Sequence, residues 1–138
     1  MKLCDTSVLV DIDRGDGSVP DRVRRLDDEG RHAIAAVTVT ELRLGVNKQY
    51  DDTDERAGAH QELDRLLSRF EIVDVGRSVA TTAADITAEL RARGEPLHDL
   101  HDVYVAASAA VEQLPVLTAN VDHFEGIDDV RVVEWATY

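Results

Sequence analysis

The stretch Lys2-Leu3-Cys4-Asp5-Thr6-Ser7-Val8-Leu9 decides the reading of the fold. A short apolar run ends in an acid, two small hydroxyl residues follow, and a helical pattern begins. The first strand is expected over Lys2 to Asp5, with a helix over Ser7 to Asp13 whose Val8, Leu9 and Ile12 share one side. A buried strand that hands Asp5 to the mouth of a helix places a carboxylate beyond the strand's carboxyl end. Open α/β sheets bind their ligands there.

Working outward, strand and helix patterns alternate to the end of the chain. Gly15-Asp16-Gly17-Ser18 breaks the first helix, and Ser18 is a candidate N-cap for a charged helix over Val19 to Glu29, with Pro20 in its first turn. Gly30 closes that helix. His32 to Val37 reads as a strand apolar on both faces, as central parallel strands are. Thr38-Val39-Thr40-Glu41 fits a capping box opening the next helix, which Gly45 and Asn47 punctuate. Asp51-Asp52-Thr53-Asp54 is an acidic turn leading into a helix that runs to about Phe70.

Glu71 to Val75 is a third strand. An Ala-rich helix follows over Ser78 to Arg93, closed by Gly94 with Pro96 beyond. Asp99 to Gln113 is a nearly apolar, deeply packed helix, Leu114 to Thr118 a strand, Asn120 to Phe124 a turn, and Val130 to Trp135 a last strand. The alternation predicts one domain over residues 1–138: a three-layer α/β/α sandwich with a mainly parallel central sheet.

At 138 residues the chain can bury a proper core without disulfides, and its one cysteine, Cys4, has no partner to bridge to. No signal pattern and no membrane-length apolar run is present, so a cytoplasmic, soluble protein is expected. There are 28 acids against 15 bases, a net charge of −13, and the only lysines are Lys2 and Lys48. Such an acidic, Lys-poor surface is like that of proteins that work in high salt, where screening relieves self-repulsion. It argues against nucleic-acid binding by default, because such domains are usually basic.

Four acids fall near the same edge of a parallel sheet: Asp5 after the first strand, Glu41 one turn into the following helix, Asp102 at the start of the buried helix, and Asp122 past the Leu114–Thr118 strand. Each also has a plain structural role open to it. Asp5 can cap a helix, Glu41 can answer Thr38 in the capping box, Asp102 can be the third residue of a helix capped by Asp99, and Asp122 can sit solvated in a turn. Clustered carboxylates raise one another's pKa unless a cation offsets them. Oxygen ligands without cysteine suit Mg²⁺ or Mn²⁺, which can activate water for attack on a phosphoryl group.

Taken in order, Asp5-Thr6-Ser7, Thr40-Glu41-Leu42-Arg43-Leu44-Gly45, Asp102-Val103-Tyr104-Val105-Ala106-Ala107 and Leu117-Thr118-Ala119-Asn120 resemble the motif series of PIN-domain nucleases. With the closing Val132-Val133-Glu134-Trp135 they are most similar to VapC-type toxins of toxin–antitoxin pairs. The resemblance implies a Mg²⁺-dependent endoribonuclease, Mn²⁺ being a possible substitute, with Asp5, Glu41 and Asp102 as core metal-binding and catalytic acids. It also implies an RNA substrate, a cognate antitoxin and a homodimer. At the fourth position the sequence departs from the family, which places an acid where Asn120 or His123 stands; Asp122 lies between them, and Asp99 is a further candidate.

An arginine from a partner chain is a natural visitor to such an acidic pocket. Charge for RNA is expected from among Arg14, Arg22, Arg24, Arg25, Arg43 and Lys48, with Arg43 on a different helix face from Glu41. Thr6 and Ser7 can orient Asp5 or a water, or cap the helix. His98, His101 and His123 have neither the i, i+4 spacing nor the cysteines of a zinc site. The departure at the fourth position leaves a second reading open, an impaired module that binds RNA or a protein partner. A receiver-type phosphoacceptor also gathers acids at a sheet edge, but it relies on a late lysine, and this chain has none after Lys48.

Overall fold

The computed structural model describes residues 1–95 and 99–138. Five parallel strands, β1 (Leu3–Cys4), β2 (His32–Ala35), β3 (Phe70–Val73), β4 (Val116–Thr118) and β5 (Val132–Glu134), lie in the order β3-β2-β1-β4-β5. Six helices flank them: α1 (Thr6–Arg14), α2 (Val19–Asp28), α3 (Ala36–Gln49), α4 (Thr53–Leu67), α5 (Arg77–Ala92) and α6 (Leu100–Glu112). The α/β sandwich with a parallel sheet expected from the sequence is the one observed. Pro96 and His98, which entered the sequence reading, lie outside the described residues. No described helix is long and apolar enough to cross a membrane.

The sheet divides the core by strand periodicity. Leu3, Ala35 and Val116 face the layer that holds α5 and α6, while Cys4, Ile34 and Leu117 face the layer of α1, α2 and α4. Adjacent residues on each strand are therefore buried against different helices, which is why these strands read as unbroken apolar runs. Leu3 pairs with Ala33 and Val116, and Cys4 with Ile34 and Leu117, so β1 is held on both sides. Such burial pushes the Cys4 thiol up to about 12.

Two local expectations are corrected. α3 starts at Ala36 rather than Thr38, its N-cap is Ala35, and no side chain caps it. Thr38 is fully buried in the first turn, 3.4 Å from the Thr6 hydroxyl, so the capping box does not form. Inward packing of Thr38 displaces the cap. The same helix runs through Gly45 and Asn47 to Gln49 because Leu42 and Val46 still find the core. Ser18 stands at the N-cap of α2, but without a side-chain cap bond.

Candidate active site

At the carboxyl ends of β1 and β4 the chain opens into a cleft of about 620 Å³, lined by Asp5, Glu41, Asp99, Asp102, Asn120 and His123 among others. Three different elements deliver the acids. Asp5 is the residue β1 presents next, joined to β4 by its N–H to Leu117 O at 2.9 Å. Glu41 projects from α3 and Asp102 from the first turn of α6.

Asp5 is 4 % exposed and stands at the N-cap of α1, yet its side chain makes no cap bond. Instead Oδ2 accepts from Ser7 Oγ at 2.8 Å and from Thr118 Oγ1 at 3.0 Å. Those hydroxyls are themselves fixed: Ser7 Oγ accepts from Ala119 N at 3.0 Å, and Thr118 Oγ1 from Asn120 N at 2.9 Å. The hydroxyl residue after Asp5 has a different task, since Thr6 Oγ1 donates to Glu41 Oε1 at 2.8 Å. A chain of hydroxyls thus holds two carboxylates in place without neutralising them.

Asp102 has the least support. It is the third residue of α6, behind the Asp99 N-cap that accepts from His101 N at 3.1 Å. Its Oδ2 is buried and receives no aligned hydrogen bond among the described residues, although His123 Nδ1 lies 2.9 Å away. Burial pushes the Asp102 carboxyl above its ordinary range; His123 opposes that, while Asp5 and Asp99 add to it. Glu41 is raised likewise, first by burial and further by Asp5 and Asp102, against the Thr6 hydrogen bond and His101. His101 Nδ1 stands 3.3 Å from Asp99 Oδ1 and 4.0 Å from Glu41 Oε2.

Asp122 is exposed and absent from the cleft lining, whereas Asn120 and His123 on either side of it line the cleft. Two residues were not legible as site residues. Thr118 is quoted in the motif series without a role, yet it holds Asp5; its signal is the register, one step beyond Leu117 on the strand beside Asp5. His123 is aimed by its neighbour: Phe124 is fully buried and anchors the 3-10 turn of Val121–His123. Of the basic residues, Arg43 pairs with Asp64, Arg24 with Asp21, and Arg22 lies over the Trp135 ring at 4.8 Å.

As the side chains stand, no three of the described His, Cys, Asp and Glu residues close round one ion. The donor set nonetheless suits a hard divalent cation. Mg²⁺ is held by one or two carboxylates and keeps several waters. The cleft offers two acids whose charge is penalised by burial and a buried carboxylate oxygen lacking an aligned donor.

Comparison with known proteins identifies the family. A PIN domain family model matches residues 2–130. Ribonuclease VapC1 of Methanocaldococcus jannaschii is 29% identical over 127 residues, 92% of this chain and 81% of that protein. The tRNA(fMet)-specific endonuclease VapC of Salmonella typhimurium is 31% identical over 105 residues, 76% of each. Among solved structures, DNA-bound VapBC from Salmonella typhimurium superposes with a TM-score of 0.81 at 25% identity, covering 98% of this chain and 99% of that one. The chain belongs to the PIN-domain family, alongside its VapC-type members.

Proposed function

We propose that the chain, as one PIN unit, is a divalent-metal-dependent endoribonuclease and the toxin of a toxin–antitoxin pair. The observation that carries this reading is the cleft itself. Asp5, Asp11, Glu41, Asp99 and Asp102 line it, and none of its described lining residues is Lys or Arg. Acids gathered with imidazoles but no Lys or Arg among the described lining residues suit a cation, and the VapC relatives are named as nucleases.

Asp5, Glu41 and Asp102 would hold Mg²⁺ or Mn²⁺, with the remaining positions filled by water. Bound there, the ion supplies an acidified water and offsets charge on the phosphoryl group. The chain's own work is positioning. Ser7 and Thr118 engage Asp5 through Oδ2, and Thr6 engages Glu41 through Oε1, so both carboxylates meet a ligand without rearranging. In the reaction a water oxygen bonds to phosphorus and the P–O3′ bond breaks. The 3′ oxygen takes a proton, leaving 5′-phosphate and 3′-hydroxyl ends. No side chain is consumed.

The antitoxin's seat is proposed next to the cleft. A groove of about 450 Å³ between α1, α3 and α4 shares Thr6 and Glu41 with it and presents Leu42, Val46 and Leu66. A partner segment that laid an apolar face there could also reach the acids.

The test is cleavage of a structured RNA by the purified chain in molar KCl, with Mg²⁺, Mn²⁺ or EDTA. Metal-dependent cutting is expected, with a loss of at least about a hundredfold in Asp5→Asn, the scale of removing one electrostatic element from a transition-state site. Asparagine can still accept from Ser7 and Thr118, so the melting temperature should hardly move. Undiminished cutting by a folded Asp5→Asn protein would sink the reading.

A further inference from the structure

We propose that Arg22 binds a backbone phosphate of the RNA beside the scissile one, as an anchor mounted on the wall of the cleft. The inference rests on the nuclease reading above and adds to it where an acidic chain keeps positive charge for a polyanionic substrate.

The described residues that line the cleft include no lysine or arginine, and the chain carries a net charge of −13. Acids that suit a cation at the scissile phosphate repel the phosphates on either side. A nearby cation would offset that repulsion, and the structure narrows the choice. Arg24 and Arg43 are committed to Asp21 and Asp64. Arg14, Arg25 and Lys48 stand in the last turns of α1, α2 and α3, where they answer the negative end of the helix dipole. Arg22 has neither duty. It lies near the amino end of α2, and no carboxylate of the described residues comes within ion-pair distance of it.

Its place is fixed from the cleft outward. Trp135 N–H donates to Thr118 O at 2.8 Å, and the Thr118 hydroxyl holds Asp5. The Trp135 indole N–H donates at 3.1 Å to Oδ2 of Asp11, which lines the cleft. Trp135 is fully buried, and Arg22 lies over its ring with Cζ 4.8 Å from the ring centre. Arg22 Nη1 donates to Trp135 O at 2.8 Å. One indole therefore separates this guanidinium from the lining of the cleft. An aromatic face and a carbonyl oxygen orient it and leave its charge in place.

Donor capacity is unspent as well. A guanidinium carries five N–H donors. Here Nη1 serves Trp135 O, while Nε is buried without an acceptor. Arg22 is half-buried, so part of it meets solvent. A phosphate that draws the side chain outward would give Nε the acceptor it lacks, and the planar fork matches two phosphate oxygens. Such a contact reads charge rather than base identity, so it should act on all RNA sequences alike.

Steady-state cleavage by the full chain with Mn²⁺, from low to molar KCl, provides the test. Arg22→Gln should raise KM about tenfold at unchanged kcat, the worth of one hydrogen bond to a charged group. It should also flatten the log–log salt dependence of kcat/KM by about one, the share of one phosphate. Arg24→Gln, the same charge change on the same helix, should alter neither, and Arg22→Lys should recover most of the loss. Three results overturn the anchor and leave the nuclease reading standing: an unchanged KM in folded Arg22→Gln, an equal rise in Arg24→Gln, or an Arg22→Lys as weak as Arg22→Gln. If Arg22→Gln does not fold, the chain's one tryptophan, Trp135, decides. RNA bound to Asp5→Asn, detected by polarisation of a labelled strand, should shift Trp135 emission, and bound RNA without a shift overturns the anchor. Absence of metal-dependent cutting by the folded wild type overturns both.

Discussion

The two ends of the central strand handle charge in opposite ways. At its amino end, Lys2 Nζ pairs with Glu29 and donates to Tyr138 Oη at 3.0 Å, and Tyr138 in turn donates to Glu29. Beside it, His32 Nδ1 accepts from Lys2 N at 3.0 Å and its Nε2 meets Leu26 O at 2.9 Å. Each polar group there has a partner. At the carboxyl end, only three residues along, Asp5, Glu41 and Asp102 face a shared cleft with hydroxyls and imidazoles for company. A fold that pairs an acid with a lysine at one end of a strand and gathers several acids among hydroxyls and imidazoles at the other is set up to bind something at the second end.

The strongest way to break this contrast is to neutralise an acid at the carboxyl end. Asp102→Asn should cost at least about a hundredfold in RNA cleavage, because it removes a proposed metal-binding oxygen from the cleft. It should also raise the stability of the metal-free protein by about 1 kcal/mol, the usual yield when a site strained for function is relaxed. Thermal melting in EDTA beside the cleavage assay checks both. A variant that loses activity and stability together would mean that Asp102 is a structural acid.

The sequence made the contrast partly legible. Alternating strands and helices, the acid at the end of the first strand and the near-apolar helix from Asp99 all came through, because burial on both sheet faces leaves a direct mark on composition. The capping box at Thr38 misled for a physical reason: Thr38-x-x-Glu41 has the local chemistry of a cap, but Thr38 is buried against Thr6 and Glu41 reaches Thr6 instead. Tertiary contacts between residues 32 to 35 positions apart decided it. The support of Asp5 by Thr118, 113 residues away, was hidden in the same way, because strand order, not sequence distance, brings them together. His123 was noted where the family has an acid and set aside on zinc spacing; its place in the cleft depended on the burial of Phe124.

A smaller effect is expected from pH at the paired end. His32 is 3 % exposed, and burial holds its pKa below the ordinary histidine value. Lys2 N–H already donates to Nδ1, so a second proton on the ring would meet a donor rather than an acceptor. The native chain thus refuses a proton that the unfolded chain takes up. Stability is intact above the unfolded value near 6.5 and is lost as pH falls through it toward the folded value. Replacing the ring with His32→Gln should lower the plateau by about 1–2 kcal/mol, the cost of leaving a buried partner unsatisfied. Melting curves between pH 7 and 5 should then be flatter than wild type; an equally steep fall in the variant would move the effect elsewhere.

The smallest effect concerns the ion pair itself, and salt gives it a sign. Burial alone would lower the Lys2 pKa, but the bonds to Glu29 and Tyr138 outweigh it and carry it above the ordinary value; the same Lys2 bond holds Glu29 low. The pair is therefore intact from above the carboxylate range to below the lysine range, so its contribution is flat near neutral pH. Glu29 is 43% exposed, which limits that contribution to about 0–1 kcal/mol in dilute buffer. Molar KCl shortens the screening length to about 3 Å and should erode the pair further. The whole molecule should respond in the opposite direction, because a net charge of −13 repels itself and salt relieves that repulsion. Lys2→Met should accordingly melt slightly below wild type in dilute buffer, and the two curves should converge as both rise with added KCl. A gap that widens with salt would show that Lys2 acts through the packing of its stem under Tyr138 rather than through its charge.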